Sequence, residues 1–373
     1  MQEKKIYIIG GGLAGLITSI HLTREGVPCT LIEKKSFPFH RVCGEYISNE
    51  VIPYLKSLEV FPETLQPARI SRLHLTSVNG KVATLPLDLG GFGVSRYQFD
   101  YFLFQKARQL GVEFLVDTEV EEISYANDQF VLKTRNESLT GDVIIGAFGK
   151  RSRLDLQLKR SFIQQRSPYV GVKYHIRLLD FDHDLIELHN FRDGYCGISR
   201  VEGDLINLCY LTHRNNTKAF GNLRAMEEAV LFQNPFLKKI FTHAEFLFDK
   251  PETINEISFE TKSPVENHIL MTGDAAGMIT PLCGNGMAMA IHSAKILSEH
   301  LLRFCKDPAY TRSQLEKDYA KTWNELFSNR LWAGRQIQRM FGNVHASNLA
   351  VFIANHMKPI ANFLLRQTHG SPF

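Results

Sequence analysis

The stretch from Lys4 to Lys34 leaves this chain few ways to fold. Ile6, Tyr7, Ile8 and Ile9 form a short apolar, β-prone run, the pattern of a strand buried on both faces. Gly10, Gly12 and Gly15 follow as G-x-G-x-x-G. The first permits a tight turn, the second lets a backbone approach a diphosphate, and the third lets the next helix pack on the strand. That helix is predicted over residues 13–25, burying Leu16, Ile17 and Ile20 and stopping at Gly26. Its unpaired N–H groups and dipole make an anion site where a pyrophosphate can sit. A second strand, residues 28–32, ends on Glu33, placed to accept hydrogen bonds from a ribose diol. A glycine-rich turn without a ligand is the plain alternative. Strand, turn, helix, second strand and closing acid within about 30 residues favour a dinucleotide site.

At 373 residues the chain can bury a large core and is expected to form two closely connected lobes. Hydrophobic residues at 44% and charged residues at 22% are ordinary for a soluble globular protein. A net charge of only +4 makes no case for nucleic acid as a partner. The six cysteines show neither C-x-x-C nor zinc-ligand spacing, so no metal is expected, and reduced thiols in a cytoplasm are. No run reaches the roughly 18 apolar residues that span a membrane. The apolar run after Lys5 is read as part of the nucleotide unit, not as a signal peptide.

After Glu33 comes a loop, residues 36–48, in which Pro38 forces an extended or turned path and Gly44 allows unusual backbone angles. Arg41 is a plausible partner for ribose or diphosphate oxygens. Cys43 and Glu45 read either as a packed thiol and a surface acid or as groups bordering the reactive ring of a cofactor. Residues 49–58 look helical. Residues 69–93 alternate apolar and polar types around Asn79 and Gly80, the pattern of an inserted hairpin. A helix over 98–110 follows, with Arg96 at its start read as a surface charge or a cofactor contact. Strands are expected at 112–115, 120–125 and 130–134. A buried strand from Asp142 then runs into the turn at Gly149. Four antiparallel strands are predicted at 169–178, 185–191, 194–201 and 205–212, then helices at 222–232 and 235–242 and a strand at 254–259. His175, His183 and His189 have no metal spacing and read as structural or exposed.

A second motif lies at residues 268–291. An apolar strand ends on Gly273 and Asp274, a loop runs to Pro281, and Gly284 and Gly286 open a helix. An acid directly after a strand is placed to meet a sugar-like hydroxyl chain, and the N-terminus of the following helix can donate N–H bonds to a developing anion. Two nucleotide-type motifs this far apart imply one long cofactor stretched between them, FAD rather than NAD.

These motifs resemble the FAD-dependent group that contains aromatic hydroxylases of the p-hydroxybenzoate hydroxylase type and the geranylgeranyl reductases, over most of residues 4–300. The resemblance implies an α/β fold: a Rossmann-like FAD-binding lobe with a parallel sheet, an antiparallel-sheet substrate lobe and a helical C-terminus. The FAD-binding part is then discontinuous (1–68, 94–160 and 264–300), the substrate sheet covers 69–93 and 161–263, and the C-terminal helices 301–373. Gly10, Gly12, Gly15 and Glu33 match the adenosine-diphosphate motif, and Leu13, Ala14 and Lys34 beside them are expected cofactor contacts. Gly273, Asp274, Pro281, Gly284 and Gly286 match the late motif, whose Asp contacts the ribityl chain and whose glycine backbone lies by the flavin pyrimidine, and Asn285 and Met287 are expected cofactor contacts beside it. Arg41, Arg96 and Gly149 fall where further cofactor contacts are expected. The segment from Arg41 to Glu45 looks more like the reductase branch than the hydroxylases.

The hydroxylases carry Asp-Gly in the turn after the Ile144 strand, where this chain has Phe148 and Gly149. That puts their way of handling nicotinamide in doubt, and NAD(P)H is expected only as a transient electron donor. No W-x-W-x-I-P occurs, which counts against a flavin halogenase. The expected activity is reduction of carbon–carbon double bonds in a small, lipophilic molecule, with Cys43 or Glu45 as catalytic proton donor. A monooxygenase is the alternative, and a non-catalytic flavin-binding protein the second. The C-terminal helices, predicted at 314–327, 331–340 and 349–365, pack over the substrate lobe or present a face to a membrane or carrier. Twenty-six phenylalanines favour an apolar cavity without locating it.

Overall fold

The computed structural model describes residues 4–164, 167–255, 257–280, 284–340, 342–361 and 370–373. The apolar N-terminal run forms the strand Ile6–Ile9 at the centre of a six-stranded sheet. Its order is Val265–Glu266, Ile269–Met271, Val143–Gly146, Ile6–Ile9, Thr30–Ile32 and Glu113–Leu115. All neighbours are parallel except the two-residue edge strand. Ile8 pairs with Ile145 on one side and Leu31 on the other, and all three side chains are fully buried. This is the continuous apolar reading that a parallel sheet covered on both faces requires. The helices Leu13–Arg24 and Gly286–Lys306 pack together beside it.

The register aligns the carboxyl ends of these strands, with Ile9 beside both Ile32 and Gly146, and Gly146 beside Met271. Gly10, Glu33, the Gly149 turn and Gly273 therefore leave the sheet along one edge. In open parallel sheets that edge is where ligands bind.

The second large sheet has nine strands. Its path runs Glu245–Phe246, Tyr169–Arg177, Ile206–His213, Gly194–Arg200, Leu185–Phe191, Ala68–Thr76, Val82–Gly93 and Tyr46–Ser48, and Glu252–Asn255 also pairs with Tyr169–Arg177. The hairpin and the later strands thus form one sheet. They join through a parallel pair, Leu188 beside Leu75, within otherwise antiparallel pairings. A parallel pair needs a long crossover, and the chain from Gly93 to Leu185 provides it. Val172, Ile198, Leu208 and Tyr210 point to the face covered by the helices Leu223–Val230 and Pro235–His243. The opposite face carries Lys173, His175, Asn207 and Cys209.

Several local expectations shift. The strand expected at 254–259 lies at Glu252–Asn255. A third strand, Ser138–Gly141, joins the predicted pair at 120–134. The helices expected at 314–327 and 331–340 are one, Arg312–Met340, because nothing between them breaks the hydrogen-bond ladder. The next helix, Val344–His356, lays Val351 and Ala354 against Leu75, Ala83 and Leu85 of the hairpin and leaves Leu349 and Phe352 exposed. Residues 362–365 of the helix expected there lie outside the described residues. Among the described residues no helix is long and apolar enough to cross a membrane.

Candidate cofactor and active site

The three motif glycines differ in what surrounds them. A Cβ on Gly10, whose φ is +112°, would lie 2.4 Å from the Ala147 carbonyl oxygen, and one on Gly15 would lie 2.0 Å from the Gly10 carbonyl oxygen. Both positions are closed by backbone. A Cβ on Gly12 would meet only the Arg96 Nη2, at 3.7 Å. Gly12 is also the N-cap of the helix Leu13–Arg24, with no side-chain cap and no acid in its first turn. The first helical N–H groups and the dipole thus face an open cradle of positive character, which an anionic diphosphate fits.

Charged groups border the cradle. The buried Glu33 accepts from the Gly11 N–H at 2.8 Å through Oε2 and from the Lys35 N–H at 3.1 Å through Oε1. Arg41 donates from Nη2 to the Gly11 carbonyl at 3.3 Å and from Nε to Asp100 at 3.1 Å, and its guanidinium lies over the Phe39 ring. Arg96 grips the same Asp100 with two bonds of 2.7 Å. Burial alone would lower the Arg96 pKa; the Asp100 charge outweighs it and holds the guanidinium firmly protonated. Arg96 is therefore a positioned cation at the cradle rather than a surface charge. Asp100, which organises both arginines, was missed in the sequence; its one signal is the i, i+4 spacing from Arg96.

The late motif meets the first at close range. Gly273 has φ +61°, and a Cβ there would come within 2.9 Å of the Ala14 Cβ. Two buried cations hold the turn that follows. Arg160 Nη1 donates to the Ala275 carbonyl at 2.9 Å, and Lys262 Nζ donates to the carbonyls of Asp274 at 2.8 Å and Lys150 at 2.7 Å. Both lie against the Phe162 ring. Burial pushes the Lys262 pKa down to about 8, with Asp274 opposing. Burial likewise lowers Lys150, again opposed by Asp274. Gly284 has φ +64° and lies by the Tyr46 ring; Asn285 stands just before the helix Gly286–Lys306 and donates from its side chain to the buried Glu50 at 2.9 Å; Met287 is buried. Pro281 lies outside the described residues.

The loop at Cys43 sits between this edge and the second sheet. The Cys43 carbonyl accepts from Asn207 Nδ2 at 3.2 Å. Glu45 is not a surface acid. Its side chain is fully buried, with Oε1 accepting from Lys173 Nζ at 2.5 Å and the Arg96 N–H at 2.7 Å, and Oε2 within 2.7 Å of His175 Nε2. Burial would raise its pKa, but Lys173 and then His175 outweigh burial and hold it below the ordinary value. His175 belongs to this cluster. His189 instead bridges Thr76 and Glu187 in the sheet, away from the loop. The same sheet face continues into an apolar patch of Tyr195, Leu211, Ile257 and Met278. A cavity of about 100 Å³ opens beside it, lined by Tyr169, Tyr195, Leu211, His213 and Gln338. Among the described residues no group of His, Cys, Asp or Glu is placed to hold a metal ion.

Comparison with known proteins adds a family. A model described as an FAD binding domain matches residues 3–218. The chain belongs to this FAD-binding family. FAD is its cofactor, and the protein is an FAD-dependent oxidoreductase. Among relatives of this FAD-binding chain, the digeranylgeranylglycerophospholipid reductase of Methanosarcina acetivorans is 24% identical over 368 residues, 92% of this chain and 86% of that protein. Among solved structures, a geranylgeranyl bacteriochlorophyll reductase-like protein of Thermoplasma acidophilum superposes with a TM-score of 0.78 at 16% identity, over 95% of this chain and 91% of that one. The flavin-dependent halogenase CmlS gives 0.78 at 21% identity, over 89% of this chain and 64% of that one. The chain thus spans just under two thirds of that halogenase. The structural likenesses establish a shared fold.

Proposed function

We propose that this oxidoreductase reduces carbon–carbon double bonds of a lipophilic substrate, in the manner of the geranylgeranyl reductases. The observation that carries the reading is the Cys43 loop, tied by Asn207 and by Glu45 between the strand-end edge and the sheet face that continues into the apolar patch of Tyr195 and Leu211. The sequence relative named above is itself named a lipid reductase.

In this proposal the FAD-binding part comprises 1–68, 94–160 and 264–300, and the substrate sheet 69–93 and 161–263. The diphosphate lies at Gly12 to Gly15, with Leu13 and Ala14 supplying helix N–H groups and Glu33 and Lys34 at the adenosine end. Arg41 and Arg96 face the phosphates and beyond. Gly149, Gly273 and Asp274 border the ribityl chain, and Gly284 to Met287 the ring. When bound and reduced, FAD supplies a hydride to one carbon of the double bond. Cys43 delivers the proton to the other carbon. Glu45, taken up on both oxygens as a carboxylate, anchors the loop rather than donating a proton. The patch around Tyr195 and Leu211 receives the apolar substrate and excludes water. NAD(P)H is assigned as a transient electron donor.

The test is anaerobic. Protein carrying chemically reduced FAD, mixed with a polyprenyl alkene, should yield saturated product without oxygen. Cys43→Ser should slow that step at least about tenfold, as loss of general-acid catalysis does, with FAD affinity and FAD reduction unchanged. Conversion only in the presence of O₂, with oxygen in the product, would make the protein a monooxygenase instead.

A further inference from the structure

Glu45 reaches across 128 residues of sequence to Lys173 and 130 to His175. Its backbone stands at φ +55°, a left-handed conformation that a residue with a side chain keeps only where its surroundings hold it. Here both carboxylate oxygens are engaged: Lys173 and the first N–H of the helix Arg96–Gln109 share Oε1, and His175 meets Oε2. The Glu45 carbonyl accepts from the Val94 N–H at 3.2 Å. Lys173 and His175 alternate along one strand and so project from one sheet face, and Asn207, in register with His175, donates to the Cys43 carbonyl from the neighbouring strand. Two adjacent strands thus grip both ends of a three-residue loop.

Lys173 is fully buried, and no carboxylate other than Glu45 pairs with it among the described residues. An ammonium buried so deeply needs such a partner, and a carboxylate buried so deeply needs a cation. The strand position could be filled by an apolar side chain were its only task to pack. We propose that Lys173 and His175, acting through the Glu45 carboxylate, are positioning residues that fix the Cys43 loop against the substrate-sheet face. The proposal rests on the function argued above only in that the loop they fix faces FAD.

The experiment measures alkylation of Cys43 by iodoacetamide in the FAD-loaded protein, located by peptide mass spectrometry, together with the visible spectrum of the bound flavin. Lys173→Met and His175→Phe should each speed alkylation at Cys43 by about tenfold and shift the flavin spectrum, with the buried Cys196 as protected as in wild type. Glu45→Gln should do the same. In the Glu45→Gln background neither substitution should add a further increase, because residues acting through one group are not additive. Unchanged alkylation in the single variants would overturn the proposal. So would a full tenfold increase in the Glu45→Gln background, since Lys173 or His175 would then act by another route. Should Lys173→Met fail to fold, the His175→Phe cycle decides alone. Protection of wild-type Cys43 by FAD reads the cofactor placement separately: if FAD gives no protection, that placement fails and the cycle still judges the clamp.

Discussion

Gly12→Val separates the requirements of the fold from those of the cofactor. Gly12 has φ −85° and ψ −178°, which any residue adopts, and its added Cβ meets a single arginine nitrogen at 3.7 Å. The stability of the apoprotein should therefore change by no more than about 1 kcal/mol, the scale of a glycine replacement at a compatible backbone position. The ligand is affected differently. A valine side chain fills the space through which a diphosphate reaches the N-terminus of Leu13–Arg24. Loss of two hydrogen bonds to a charged group, roughly 1.5–3 kcal/mol each, amounts to roughly 3–6 kcal/mol. At about 1.4 kcal/mol per decade this is a hundredfold to ten-thousandfold weaker binding. Gly15→Val is the control, because its Cβ would strike the Gly10 carbonyl at 2.0 Å and should lower the melting temperature of the apoprotein itself. The assays are thermal unfolding of each apoprotein by circular dichroism and titration with FAD by flavin fluorescence. Wild-type FAD affinity in Gly12→Val would refute the reasoning, as would an apoprotein as damaged as Gly15→Val.

Asp274→Ala should weaken FAD by roughly 1–3 kcal/mol, the loss of ribityl hydrogen bonds, while the apoprotein stays folded; an unchanged dissociation constant would remove Asp274 from the site. Lys262 provides a pH test. Its folded pKa of about 8 lies below the unfolded value of about 10.4, so between these the unfolded chain binds more protons and stability rises with pH. Lys262→Met should flatten that rise in urea midpoints measured from pH 7.5 to 10, and a rise of equal slope in the variant would assign it to other groups.

The N-terminal unit was legible because its determinants are local. Strand, glycine spacing, helix and closing acid are each set by neighbours within a few residues, and Gly10 and Gly15 have the tight surroundings that their positions in the motif predict. The late motif was readable for the same reason, and the alternating strands of the second sheet appeared close to their expected bounds. Partner choice over long separations had no such signature. That Leu185–Phe191 lies parallel to Ala68–Thr76 depends on burying apolar side chains from both segments under common helices, which no local periodicity specifies. No local pattern marks Arg160 and Lys262, which only the fold brings to the carbonyls of Ala275 and Asp274 respectively. Glu45 read equally as a surface acid or a proton donor. Only the folded chain decides its state, because a carboxylate removed from water must find its cations, and Lys173 and His175 arrive from a strand 128 residues away.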